Sequence, residues 1–308
     1  MSARVKVLPV SRVGLDPFVA MAEHLRAALP GWEDTAPAPR QPSDLAQDLV
    51  HAAKHDIDGF LAASIDDEVV GFAVTAVRSR TALISHFWLV PDIDNPTVGE
   101  QLLRRCLAFG ERAGVADSAG HLLASPGHHA LFFRFGMRPR FPVYRYTMAA
   151  DQARVLGQQL KRLLPGSEVT QDVLQRRIWV SDIDRLDRVT RGFVRPMDHD
   201  YWVNQRGLRV AIVREGKRVA GYAYGGAGQC GPVAATTPDA GLAALGWALE
   251  LAAGERETPV HLLVPAAFEA AAENLLEGGA TLQALSTWVS RHPVPGMDRC
   301  LLGSVTLP

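Results

Sequence analysis

Two periods of apolar residues alternate along the chain. Val5-Lys6-Val7-Leu8-Pro9-Val10, Gly59 to Ile65, Glu68 to Val74 and Ala82 to Val90 are short apolar or alternating runs bounded by turn residues, the mark of strands. Between them the spacing lengthens to three or four. Phe18, Met21, Leu25 and Leu29 follow Asp16-Pro17 on one helical face, Ser43 precedes a helix over Asp44 to His55 as its N-cap, and Glu100 to Arg112 is amphipathic. A strand at His121 to Ala124, a helix over His128 to Phe135 and a strand from Phe141 to Met148 follow. Four prolines from Pro30 to Pro42 predict a loop, and Asp151 to Leu164 a polar helix joining two halves.

The pattern then restarts. Glu68-Val69-Val70-Gly71-Phe72-Ala73-Val74 is matched in residue type by Arg218-Val219-Ala220-Gly221-Tyr222-Ala223-Tyr224, each after an apolar strand and a charged turn. Ile178-Trp179-Val180 reads as the first strand of the second copy, with helices from Asp182 and near His199 to Gln205; His261-Leu262-Leu263 matches His121-Leu122-Leu123. A hairpin repeated in this way implies a duplicated domain. The expected fold class is α+β: two tandem domains, residues 1–150 and 151–308, each with a mixed, mostly antiparallel central sheet flanked by helices. The copies differ in length, since Gly71 to His121 spans 50 residues and Gly221 to His261 only 40. The shortfall is expected over the loop Asp92 to Gly99, whose counterpart is Gly231 to Pro238.

Composition narrows the partners. A net charge of −1 supplies no field for nucleic acid or an anionic membrane surface, and no run approaches the ~20 apolar residues of a membrane helix. Cys106, Cys230 and Cys300 are odd in number and lack the spacing of a metal site, so no metal is expected. Free thiols and the absence of a basic-then-apolar leader point to the cytoplasm.

The order of elements in each half resembles the GCN5-related N-acetyltransferase (GNAT) family, and three stretches of the first copy carry that resemblance. Phe87-Trp88-Leu89-Val90-Pro91 is similar to the family's central strand, Thr97-Val98-Gly99-Glu100-Gln101-Leu102-Leu103 to its loop-to-helix motif, and Ser125 through Met137 to its closing motif. A glycine-bearing helix start offers free N–H groups and a positive dipole end to a pyrophosphate. The resemblance implies acetyl-CoA as co-substrate, held by Leu89, Val90, Asn95, Thr97, Val98, Gly99, Glu100, Ser125 and Phe132, and an amine acceptor, small molecule or peptide.

The departures locate the chemistry in one copy. Thr97 stands at the family's first loop glycine, and Phe132 replaces the tyrosine that protonates the leaving thiolate. Asp92, Asp94 and Glu100 bring negative charge to the pyrophosphate site, which opposes an anion unless Arg104, Arg105 or solvent screening offsets it. Tyr144, Tyr146 or water are the alternative donors. His86 is the candidate base, or else a histidine satisfied within the core. Ser85 joins it in one cleft only if a bulge breaks the strand's alternation. His128 and His129 read as surface or packing residues. Leu275 and Gly279-Ala280 break the closing motif of the second copy, which is expected to be degenerate. The leading expectation is an acyl-CoA-dependent N-acetyltransferase, monomeric or homodimeric; the alternative is a non-catalytic acyl-CoA or small-ligand binding protein.

Overall fold

The computed structural model describes residues 5–27, 44–90, 96–115, 117–123, 126–164, 176–254 and 258–308. Its first elements are β1 (Val5–Pro9), α1 (Leu15–Ala27), α2 (Asp44–Asp56), β2 (Phe60–Ile65), β3 (Glu68–Arg78) and β4 (Thr81–Leu89). Then come α3 (Pro96–Arg112), β5 (Asp117–Leu123), α4 (Pro126–Arg134) and β6 (Arg138–Met148). The later chain forms α5 (Ala150–Lys161), α6 (Arg176–Thr190), α7 (Pro196–Asn204), β7 (Arg209–Glu215), β8 (Arg218–Gly226) and β9 (Gln229–Ala235). It continues with α8 (Pro238–Ala253), β10 (Val260–Pro265), α9 (Glu269–Glu277), β11 (Thr281–Ser290) and β12 (Cys300–Leu301).

Contacts divide the chain into two compact units, and neither is a continuous segment. Unit 1 comprises Met1–Arg140, Ser286–Pro293 and Val305–Leu307; unit 2 comprises Phe141–Leu285, Val294–Ser304 and Pro308. The sequence placed a single division at residue 150. Instead, the two halves exchange their last strands. In unit 1, residues Ser286–Ser290 of β11 pair antiparallel with β5, and in unit 2 residues Val143–Met148 of β6 pair antiparallel with β10.

The sheet of unit 1 runs β1-β2-β3-β4-β5-β11, antiparallel except for the β4–β5 pair. Helix α3 covers one face because its apolar residues recur at helical spacing: Val98, Leu102, Leu103, Cys106 and Leu107 are buried against Ile84, Phe87, Leu122 and Phe132. On the other face Phe18 of α1 meets Phe72 edge-on at 4.9 Å and Phe60 at 5.4 Å. Arg78 closes the end of β3. Its guanidinium donates to Asp56 at 2.7 Å, and the other oxygen of Asp56 accepts the Val77 amide at 3.1 Å.

In unit 2 the order is β6-β10-β9-β8-β7, with β12 against β9. Helix α8 is apolar on nearly every side and buried along most of its length. It lies close to α5, since a Cβ on Gly157 would sit 2.8 Å from the Gly246 carbonyl oxygen. The strand expected at Ile178-Trp179-Val180 belongs instead to helix α6. Ile183, Leu186, Asp187 and Thr190 are buried at helical spacing beyond it, so the short apolar run belongs to the first turns of a helix.

The repeated hairpin recurs down to its register. Between β2 and β3 the pairing shifts after Ala63, and between β7 and β8 it shifts after Val213, leaving one extra residue just before Gly71 and Gly221. The glycine is needed for the next strand's approach. A Cβ on Gly71 would stand 2.7 Å from the Trp88 carbonyl oxygen, and one on Gly221 3.1 Å from that of Ala234.

Candidate active site

Strand β4 carries a bulge at Ser85, the condition under which Ser85 and His86 can share a face. Val74 lies opposite His86 and Thr75 opposite Ile84, so Ser85 is the extra residue. Ile84 and Phe87 both pack in the α3-side core, which strict alternation forbids for residues three apart. The bulge absorbs the difference and leaves Ser85 and His86 together on the opposite face. Phe72 and Trp88 share that face; the Phe72 ring lies 6.2 Å from His86 and 6.1 Å from Trp88.

The bulge also marks where β4 leaves its neighbour. Parallel pairing with β5 runs from Thr81 opposite Asp117 to Ile84 opposite Gly120, yet β4 continues to Leu89 and β5 to Leu123. The two strands fork. The Val90 amide donates to the Val70 carbonyl at 2.8 Å, on the β3 side. By strand alternation the backbone groups of Leu89 face the other way, into the fork. Leu89 therefore has backbone groups to offer a ligand there, while the Val90 N–H is already taken.

Helix α3 starts beside this fork. Pro96 opens it, no acidic side chain stands in its first turn, and its first-turn N–H groups precede the regular i→i−4 ladder. Thr97 is exposed and Val98 buried. The carboxylate of Glu100 is held by Arg104 at 2.7 and 3.0 Å, so its charge is compensated. Gly99 is buried, and its added Cβ would meet Leu89 at 3.0 Å and Leu131 at 3.1 Å. Close packing of these leucines is thus the immediate reason for glycine at this position. Asn95 and Ser125 lie outside the described residues, as do Asp92, Asp94 and the proline-rich loop.

Phe132 on α4 is completely buried, edge-on to Phe87 at 5.0 Å. One turn earlier, His128 stands edge-on to the same Phe87 ring at 5.3 Å, and burial, with His129 adding to it, pushes its imidazole below the usual histidine value. Tyr144 is not brought to this unit. It pairs with Val264 of β10 and packs on the core of unit 2.

His86 has a hydrogen-bonding neighbour that no local pattern reveals. Its Nε2 and the Thr306 hydroxyl are 3.0 Å apart, 220 positions apart in sequence, and Thr306 is buried. On the same face of β5, His121 Nε2 contacts Ser286 Oγ at 2.5 Å, and burial holds its imidazole down to about 4. Ser85 is buried as well, and its hydroxyl finds no hydrogen-bond partner among the described residues.

The corresponding fork in unit 2 is filled. Parallel pairing of β9 with β10 is reduced to Gln229 opposite His261. Between them lies the chain itself: Cys300 and Leu301 pair with Ala234 and Val233 of β9, and Leu302 bridges to Leu263 of β10. The segment around Gly231, expected as a loop, is strand β9, and only Thr236-Thr237 separates it from α8. Thr237 caps that helix by accepting the Ala240 amide at 3.2 Å, and a Cβ on Gly241 would meet Phe268 at 2.9 Å and the Arg299 backbone at 3.2 Å. Neither the fork nor the helix start offers space to a ligand.

Unit 2 holds a buried polar cluster on the equivalent outer face of β8. Asp187 accepts from Arg195 at 3.0 Å, from His199 at 2.9 Å and from Tyr222, and His199 reaches Tyr224 at 2.9 Å. Burial alone would raise the Asp187 carboxyl, but Arg195, His199 and Arg191 outweigh it and hold it well below the carboxylate range. The cluster fastens α6 and α7 to β8.

Solved structures share this arrangement of elements over nearly the whole chain. An acetyltransferase candidate from Pyrococcus horikoshii superimposes with a TM-score of 0.68 at 17% identity, covering 99% of this chain and 96% of its own. A GCN5-related N-acetyltransferase from Sphaerobacter thermophilus gives 0.58 at 13%, with 96% and 97% covered. The fold is the GNAT fold, in tandem. A tandem GNAT protein of the clavulanic acid biosynthesis pathway also matches, with a TM-score of 0.53 at 14% identity over 94% of this chain and 99% of that one. No protein-family model matches the chain, and no curated protein sequence does. Among the described residues no helix is long and apolar enough to cross a membrane, and no group of three or more His, Cys, Asp or Glu is placed to hold a metal ion.

Proposed function

We propose that the chain is an acyl-CoA-dependent N-acyltransferase with one site, in unit 1, that uses acetyl-CoA as donor and an amine, small molecule or peptide, as acceptor. The observation that carries this reading is the fork of β4 and β5, which no strand among the described residues fills, set against a filled one in unit 2. In unit 2 the fork takes an extended peptide. In unit 1 it leaves the backbone of Leu89 for an amide-bearing ligand such as the pantetheine arm.

The thioester supplies an activated acetyl carbon. The N–H groups of Val98 and Gly99, with the dipole of α3, suit the pyrophosphate, and Arg104 pairs with Glu100 there. His86 faces the acceptor side and takes the amine proton as nitrogen attacks; Ser85 stands beside it with a hydroxyl to orient the amine. Phe132 has no proton to give. The neutral imidazole of His128, beside Phe87, donates a hydrogen bond to the departing sulfur.

Purified protein should melt at a higher temperature with acetyl-CoA and release CoA in the presence of one class within a panel of primary amines. Thr97→Glu separates binding from folding. A carboxylate at the exposed helix start stabilises α3 by about 0.3–1 kcal/mol while repelling the pyrophosphate, so the protein should stay folded and lose the acetyl-CoA shift. A binding protein without catalysis is favoured by the fully buried Phe132. It predicts the shift with no CoA release from any amine, and His86→Gln then changes nothing.

A further inference from the structure

We propose that the outer edge of β1 docks an extended peptide, which adds to the sheet of unit 1 as a further strand and offers one acidic side chain to Arg105 of α3. This surface lies beyond the acyltransferase reading and does not depend on it. β1 stands at the end of the strand order and, among the described residues, pairs with β2 alone. Every second residue of β1 therefore turns its N–H and C=O away from the sheet. Its five residues are partly buried, and together β1 and α3 line a groove of about 530 Å³.

The lining chooses the occupant. Val5 and Val7 pack against the α3-side core, which by alternation leaves Lys6 on the other face, its ammonium held by Asp67 at 2.5 Å. Lysine and proline commonly guard an edge strand, but this lysine is engaged and Pro9 is only the last residue of β1. From α3, Gln101, Arg104 and Arg105 line the groove at i, i+3 and i+4, one stripe of the helix. Arg104 is held by Glu100 and lies over the Phe135 ring at 4.9 Å. Arg105 is exposed and has no hydrogen bond or ion pair among the described residues. The groove thus joins a row of outward backbone groups, two valines and one unengaged cation. A strand reading valine, polar, glutamate, polar, valine meets all three. Its main chain pairs with β1, its valines cover Val5 and Val7, and its carboxylate meets the guanidinium fork. A free anion would meet the cation and leave the edge bare. A second copy pairing through its own β1 would bring a lysine and no carboxylate to Arg105.

The probe is fluorescein-Gly-Val-Thr-Glu-Thr-Val-amide, titrated with the full chain and read by anisotropy. Binding should be saturable. It should weaken about tenfold when glutamine replaces the glutamate, and at least as much in Arg105→Glu, whose melting temperature without ligand should stay at the wild-type value. N-methylation of the three central amides, which blocks strand pairing and leaves the side chains and the protein untouched, should abolish binding. Hydrogen exchange should slow at residues 5–8 when the probe is present. No saturable binding, equal binding of the glutamine or N-methylated probe, full binding by Arg105→Glu, or protection absent from residues 5–8 overturns the proposal. So does a dimer in sedimentation velocity that the probe disperses, since the edge then belongs to a second copy. If Arg105→Glu fails to fold, the altered probes and the exchange pattern decide by themselves.

Discussion

Replacing Gly71 by alanine should harm the protein more than the same change at Gly221, although the two glycines occupy equivalent places in the repeat. At Gly71 the new methyl would sit 2.7 Å from the carbonyl oxygen of Trp88 and 2.6 Å from a Leu89 methyl. The leucine can turn aside, but the carbonyl belongs to the backbone of β4. Restoring ordinary contact needs β3 and β4 to part by about 0.7 Å, at the end of β4 that borders the fork. Such overpacking costs about 1–3 kcal/mol. At Gly221 the contacts are 3.1 Å to the Ala234 oxygen and 3.2 Å to the Ala235 methyl, so a few tenths of an ångström suffice. The expected cost there is under about 1 kcal/mol. Urea denaturation of both variants, read as a change in midpoint at constant slope, gives the comparison. Gly71→Ala should also weaken acetyl-CoA binding, because Leu89 moves. Equal costs, or a larger one for Gly221→Ala, would refute the claim that backbone approach is what these glycines serve.

The buried His121 predicts how stability follows pH. Its folded value of about 4 lies below the unfolded 6.5, so the unfolded chain binds the proton first. Stability from this group is full above the unfolded value and is lost as pH falls toward 4, by roughly 3 kcal/mol in all. His121→Gln should flatten the acid side of a stability–pH curve; an unchanged slope contradicts the assignment. A chain cut after residue 150 should not fold alone. It lacks Trp288 and Val289, both fully buried, and leaves β5 bare from Ala119 to Leu123. Each lost side chain forfeits about 1.5–3 kcal/mol of burial. A cooperative unfolding transition in that fragment would show that the exchanged strand is dispensable.

Local pattern and distant pairing were not equally legible. The hairpins could be read because a turn, an alternating strand and a glycine lie within a dozen residues, and even the bulge at Ser85 was recognisable as the condition for uniting Ser85 with His86. The fold class followed from element order. The exchange of last strands could not be read, since β6 and β11 are both ordinary strands and nothing in either names its partner. Thr306 was invisible for the same reason. The segment around Gly231 reads as a loop because the length comparison sets it opposite Asp92 to Gly99, whereas pairing with β8 and β12 makes it a central strand. Helix α6 shows the converse error, where three apolar residues suggested a strand and the longer period decided for a helix. The negative charge of Glu100 and its offset could both be read, since Arg104, one turn later, is the arginine that pairs with it.

The central claim is that one fork of two is open. Isothermal titration of the full chain with acetyl-CoA tests it directly. The account predicts a single site per chain, abolished by Thr97→Glu and unaffected by Thr237→Glu at the corresponding place in unit 2. Two sites per chain, or binding that survives Thr97→Glu and vanishes with Thr237→Glu, would contradict it.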